Sequence, residues 1–391
     1  MIVMVLFMPM NLWGQTVSVF LSALICILFP FKYKNVSSIE KFPLTLPIVI
    51  LSISYFISNY FSFEKHNGAM ISSILSYCLI VMVFFYVFMK DKARLLPFFI
   101  KACLIFGTIV SFYSIFETII GDNPMMRYLI DNKIVMQEDV VSDVRFGMKR
   151  SQGIFTMHGT NGAVAVELFA ILLSAQVTGY LKKSRFIYWV ISLLALTVFM
   201  TGTRSAIISL LICFFAFFNP QNFKLKYLTI GIVFLFFVYL CFQSYVDEII
   251  VSFVNTESVE GSNTDMREGQ LNVALMFFSK SPIYGNGIAY CANNVMGVYR
   301  DMFGAESLWF PAMIDTGILG VFGYIMFFIY CMSYCRKRKM NNLSFFVLSF
   351  FVLNTMSSIP GLSITWIFPF LLVLIEMKQA TIDKKYFTVR E

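Results

Sequence analysis

Residues 186–200 read FIYWVISLLALTVFM, residues 201–204 TGTR, and residues 205–218 SAIISLLICFFAFF. As one helix this stretch would run about 50 Å at 1.5 Å per residue. A hydrocarbon core about 30 Å thick cannot take that length, even with tilt. The stretch must fold back, and Thr201-Gly202-Thr203-Arg204 is its only polar segment. It therefore reads as a transmembrane hairpin whose tight turn sets Arg204 at a membrane face.

The same texture continues in both directions. The chain of 391 residues is 58% hydrophobic and 17% aromatic, with 45 Phe and only 13% charged residues. That is too little polar surface for a soluble globule. Apolar runs fall at 2–12, 16–31, 43–61, 69–89, 97–120, 162–180, 186–200, 205–218, 227–245, 308–334, 343–359 and 362–377. The expectation is an all-α, polytopic membrane protein with about twelve transmembrane helices, forming a single integral membrane domain over residues 1–391. The first two runs are short and also fit one helix broken at Pro9 or Gly14.

Basic residues orient the layout. Lys32/Lys34/Lys41, Lys90/Lys92/Arg94, Lys182/Lys183/Arg185, Lys224/Lys226, Arg336/Lys337/Arg338/Lys339 and Lys378/Lys384/Lys385/Arg390 occupy alternate connections. They face the cytoplasm together only if both termini are inside. The formal charge of +8 thus reports orientation and points to no nucleic-acid groove. Two long connections, 121–158 and 247–306, fall on the extracytoplasmic side, where loops of that size carry function or short helices of their own. Residues 267–279 (REGQLNVALMFFS) have apolar positions at helical spacing, as for an amphipathic helix on the outer surface. The N-terminus lacks a basic n-region and an A-x-A site, so no removable signal peptide is expected. Seven cysteines lie in or at the edge of apolar runs and Cys291 stands alone in the long outer loop, which argues against a disulfide framework.

The residues that break the orientation rule carry the chemistry. Arg150, Arg204, Arg267 and Arg300 stand in or beside outward-facing loops, which are normally poor in Lys and Arg. A snorkelling arginine is the bland alternative for each. Together they suggest a clamp for an anionic ligand, because a planar guanidinium grips phosphate oxygens with two prongs. Lys149 is a weaker candidate beside Arg150. Glu306, at the mouth of the tenth apolar run, is the candidate general base, with Asp315 deeper as support; its bland alternative is a carboxylate favoured by the helix dipole. Glu167 and Glu117 are intramembrane carboxylates and so candidates by default; Glu167 is expected to pair with an arginine and support the site. His158 and Asn161 abut the sixth long run as candidate substrate contacts. A D-x-D pair and a phosphate-binding G-x-x-x-x-G-K-[ST] loop are absent, and Gly285-x-Gly287 lacks a third glycine. No metal and no cofactor are expected.

Four stretches in order carry a resemblance: Arg150-Ser151-Gln152-Gly153-Ile154-Phe155 with Asn161; Thr201-Gly202-Thr203-Arg204-Ser205-Ala206; Arg267 with Ser281-Pro282-Ile283-Tyr284-Gly285-Asn286-Gly287; and Glu306-Ser307 with Asp315-Thr316-Gly317-Ile318-Leu319-Gly320. The ordered set resembles the bacterial O-antigen polymerase and ligase superfamily, over a little under half of the chain. The resemblance implies a GT-C-like membrane glycosyltransferase of the bacterial cytoplasmic membrane. It would act on undecaprenyl-diphosphate-linked oligosaccharides at the outer leaflet, in O-antigen, capsule or exopolysaccharide synthesis. Arg204, Arg267 and Glu306 would be catalytic, and Arg150, Arg300, Asn161 and His158 would bind diphosphate or glycan. A chain-length regulator and a flippase are the implied protein partners. The late outer loop lacks the histidine typical of ligases, and Thr160 stands where a proline often precedes the asparagine. Both departures favour a repeat-unit polymerase over a ligase acting on lipid A core. A lipid-linked oligosaccharide flippase is the reading from another class, disfavoured by the absence of a visible internal repeat.

Overall fold

The computed structural model describes residues 42–133, 144–145, 148–182, 184–216, 264–302, 307–357 and 367–388, with isolated helical positions at 24, 26, 28, 243 and 247. The runs at 2–12, 16–31 and 227–245 lie outside its continuous segments, as does Glu306. Among the described residues the protein is a helical bundle, with one two-residue hairpin, β1 (Val144–Arg145) paired antiparallel to β2 (Met148–Lys149). The helices are α1 (Thr45–Phe61), α2 (Asn67–Lys90, π-helical over Ile74–Leu79), α3 (Lys92–Ile120), α4 (Pro124–Asp131), α5 (His158–Val177), α6 (Arg185–Met200) and α7 (Arg204–Phe215). After them come α8 (Thr264–Lys280), α9 (Trp309–Lys337), α10 (Asn341–Thr355) and α11 (Ile367–Thr388). α2, α3, α5 and α9 are long and apolar enough to cross a membrane, and α1, α6, α7 and α10 are shorter apolar helices.

The hairpin read from 186–218 forms as expected: α6 stops at Met200, residues 201–203 turn, and Arg204 opens α7. Other boundaries follow local chemistry. α3 ends on Gly121 in the left-handed region (φ 75°), and the chain restarts at once because Asn123 Oδ1 accepts the Met126 amide (3.0 Å) with Pro124 in the first turn. α1 shows inverted amphipathicity. Leu46, Val49, Ile53, Phe56 and Tyr60 are exposed along one stripe, whereas Ile48, Leu51, Tyr55 and Ser58 are buried. An apolar outside with hydroxyls inside suits a helix whose surroundings are hydrocarbon.

Short connections make neighbours antiparallel, so Lys90, Lys92, Lys182, Arg185 and Arg336 to Lys339 gather at one end of the bundle. Arg338 pairs with Glu376 of α11 there (2.8 Å). The opposite end collects the C-termini of α1, α3, α6 and α10 and the N-termini of α5, α7 and α9. Most buried apolar residues form one core through the bundle. A second, small core of Ala274, Phe277, Cys291, Val295 and Met302 closes on Ile314 of α9. Residues 264–302 are therefore an arm with its own interior, seated on that opposite end.

Candidate functional site

The described residues of the four sequence stretches lie at this end and pair two by two. The first joint locks residues 149–155 onto the α6–α7 turn. Ser151 N donates to Met200 O (3.0 Å). The buried Arg150 guanidinium donates through Nε to Thr201 O (2.8 Å) and through Nη2 to Gly202 O (3.2 Å) and Thr203 Oγ1 (3.3 Å). These carbonyls are orphaned at the end of α6, and the fork satisfies them. Arg150, expected as a diphosphate ligand, is thus committed to the turn that presents Arg204.

A buried carboxylate holds the loop from beneath. Glu117 Oε2 accepts from Ser151 Oγ (3.0 Å) and Gly153 N (2.7 Å), while Lys149 Nζ lies 3.5 Å from Oε1. Asn161 Nδ2 donates to Ser114 Oγ (3.0 Å) and Ser151 O (3.2 Å), and Asn123 Nδ2 donates to Gly153 O (2.9 Å). Gly153 sits at φ 60°, and a Cβ there would stand 2.8 Å from Asn161 Oδ1, so only glycine fits. Asn161 is accordingly an internal brace. Lys149 and Glu117 mattered more than the sequence suggested; the available signal was a carboxylate inside an apolar run facing a lysine at a loop end.

The second joint locks residues 282–291 onto a break in α9. Gly317 has φ 62° and ψ −156°, so Ile318 N and Leu319 N lose their helical acceptors, the carbonyls of Ile314 and Asp315. The loop exchanges partners with both. Ile318 N donates to Pro282 O (2.9 Å) and Leu319 N to Ile283 O (3.3 Å), while Asn286 N donates to Ile314 O (2.8 Å) and Gly287 N to Asp315 O (3.2 Å). Four backbone groups that would be costly to leave bare near a membrane are all paired. Asp315 adds its carboxylate, accepting from Cys291 N (2.7 Å) and Ala289 N (3.1 Å), and its carbonyl also takes the Ser58 hydroxyl of α1. Burial, with the Asp315 charge adding to it, pushes the Cys291 thiol well above its ordinary range.

Helix packing relates the two joints. Ser209 Oγ donates to Ser349 O (3.0 Å), Ser349 Oγ donates to Ser209 O (2.7 Å), and Phe215 packs at a tilt against Phe345. α7 and α10 are therefore antiparallel, and their register carries Arg204 to the level of Asn354 and Thr355, about one helix spacing (8–10 Å) away. At that level Leu308 N donates to Asn354 O (2.9 Å) and Trp309 Nε1 to Thr355 Oγ1 (3.0 Å). The buried Ser307, next to Glu306, caps this mouth through Trp309 N (3.2 Å). Arg204 and the start of α9 thus face one region.

The remaining candidates are spread more widely. Arg267 lies near the start of α8, which packs on the turn at 300–302 and on α9; Arg300 is exposed on that turn. α8 is less one-sided than its sequence spacing implied: Ala274 and Phe277 face the arm's core, whereas Leu271, Leu275 and Met276 are exposed. His158 opens α5 at the same end. Glu167 is buried in α5 beside Cys103, and among the described residues it has no ion-pair partner, so the expected arginine pairing is absent. Arg127 is bonded to Asp122, which holds that carboxylate below its ordinary range.

Residues 189–325 match the family described as O-antigen ligase. That match puts this stretch in the O-antigen polymerase and ligase superfamily. It covers the turn at 201–206, the arm and the break in α9, and it begins after Arg150, which the first joint ties to it. No curated protein matches the chain. The superfamily implies a membrane enzyme of glycosyl transfer acting on lipid-linked oligosaccharide.

Proposed function

We propose that the chain is a repeat-unit polymerase. It moves a growing glycan from undecaprenyl diphosphate to the non-reducing end of a lipid-linked repeat unit, at the outer face of the cytoplasmic membrane, with both termini inside. The observation that carries this reading is the placement of Arg204. It is the first residue of α7, so its guanidinium and the positive end of the helix dipole can act on one anion together. The N-termini of α5 and α9 meet the same end of the bundle.

In this mechanism Arg204 and Arg267 take up the charge that develops on the diphosphate as the anomeric C–O bond breaks. Glu306 accepts the proton of the attacking sugar hydroxyl, whose oxygen forms the new glycosidic bond. The leaving group is undecaprenyl diphosphate. One carboxylate beside an arginine clamp gives a single displacement with inversion at the anomeric carbon. Arg150 acts here by holding the Arg204 turn. Arg300 and His158 line the approach to the same end, and lipid-facing Phe and Ile side chains border the prenyl tails.

The description of the matched family favours a second reading, ligation of the glycan to lipid A core. A deletion strain separates the readings. Loss of long glycan, with single-repeat material still attached to the surface, supports polymerisation. Loss of all attached glycan means ligation, and cytoplasmic trapping of the lipid-linked unit means flipping.

A further inference from the structure

We infer that Asn286 is a positioning residue for this reaction, the bolt that sets the Arg267 arm against the first turns of α9. The inference rests on the proposed function. Asn286 touches three elements. Its Nδ2 donates both to Phe277 O in the last turn of α8 (3.0 Å) and to Ile314 O at the break in α9 (3.0 Å). Its amide also donates to Ile314 O (2.8 Å), and its carbonyl accepts from Ser62 Oγ at the end of α1 (2.9 Å).

The side chain must be an amide. Two carbonyls from different elements converge on one nitrogen, so the position needs two N–H donors on a short stem. Aspartate keeps the shape and supplies no donor; serine supplies one. Phe277 also anchors the arm's small core, which otherwise meets the bundle through Ile314. The loop bonds to α9 hold residues 282–291, and the Asn286 side chain adds the link from that joint to α8 itself, so its loss would let α8 tilt. Arg267 lies ten residues from Phe277 on α8, about 15 Å along the helix. A tilt of roughly 4° at the bolt displaces it by about 1 Å, and a misplacement of that size costs up to about a hundredfold in rate.

The test uses full-length protein in membranes, with lipid-linked glycan extracted from the deletion strain as substrate. For Asn286→Ala we expect kcat to fall about tenfold to a hundredfold, with KM within about twofold and wild-type abundance in the membrane. Asn286→Ser, which keeps one donor, should fall between them and serves if the alanine variant does not accumulate. The decisive readout is a cycle with Arg267→Lys. If Asn286 acts through Arg267, Asn286→Ala lowers the Arg267→Lys enzyme by much less than it lowers the wild type. Equal factors on both backgrounds, or an unchanged kcat in Asn286→Ala, overturn the bolt. Wild-type activity in Arg204→Ala would instead overturn the arginine clamp of the proposed mechanism, and loss of all attached glycan in the deletion strain would overturn the polymerase reading.

Discussion

The two joints fasten extramembrane chain to the same end of the bundle by different means. The first is built from ionisable side chains: Arg150 on the orphaned carbonyls at 201–202, and Glu117 between Lys149, Ser151 Oγ and Gly153 N. The second is built mainly from backbone, with loop 282–287 trading hydrogen bonds with α9 around Gly285 and Gly317 and the Asp315 carboxylate adding two. Charge can be removed from a joint without changing its shape; a glycine cannot gain a methyl without changing it. Loss of charge at Glu117 should therefore weaken the first joint by degrees, whereas a methyl at Gly285 should break the second all at once.

Gly285→Ala tests that contrast most severely. Gly285 has φ 74°, and a methyl group there would run into the Asp315 carbonyl. Backbone strain and overlap combine to cost on the order of 4 kcal/mol or more, read as lost folded protein in the membrane and a lower unfolding temperature. Glu117→Ala at the first joint should cost about 3 kcal/mol, since it strands Lys149, whose side chain is only 10% exposed, together with two other donors. Glu117→Gln keeps the shape and should cost about 1 kcal/mol on the same thermal measurement. A Gln variant as damaging as Ala would erase the distinction between the joints. Ser58→Ala removes one donor to Asp315 O and should cost about 1 kcal/mol or less. The mildest prediction concerns Cys291. Its thiol is raised above the ordinary value, so at any pH below that raised value less of it is thiolate than in a free thiol. Peptide-resolved alkylation should leave it unlabelled at pH 9, where an unperturbed thiol reacts freely, and labelling in Gly285→Ala should mark the opened joint.

The described helices were legible because hydrocarbon demands long apolar runs, and the hairpin at 201–203 because only one polar segment interrupts its run. α3 nevertheless begins at Lys92, five residues before the apolar run at 97, since basic residues continue a helix beyond the membrane at no penalty. The ordered stretches were legible as stretches, but their pairing was not. Arg150 contacts residues 51 to 53 positions away, and Asn286 reaches 28 positions to Ile314. Nothing in a linear string shows which carbonyls a turn has orphaned. Arg150 therefore read as a ligand when the fold uses it as a brace, and Glu167 read as half of an ion pair that no described arginine completes. Gly317 was legible only as part of the stretch 315–320, because a helix break shows only once its replacement partners are in place.

The central claim is that guanidinium groups at this end hold a lipid diphosphate. The most direct measurement is glycan length in the deletion strain complemented with Arg204→Ala or Arg267→Ala, each confirmed at wild-type level in the membrane. The account predicts that neither variant builds glycan beyond a single repeat. Wild-type chain lengths from both would contradict it.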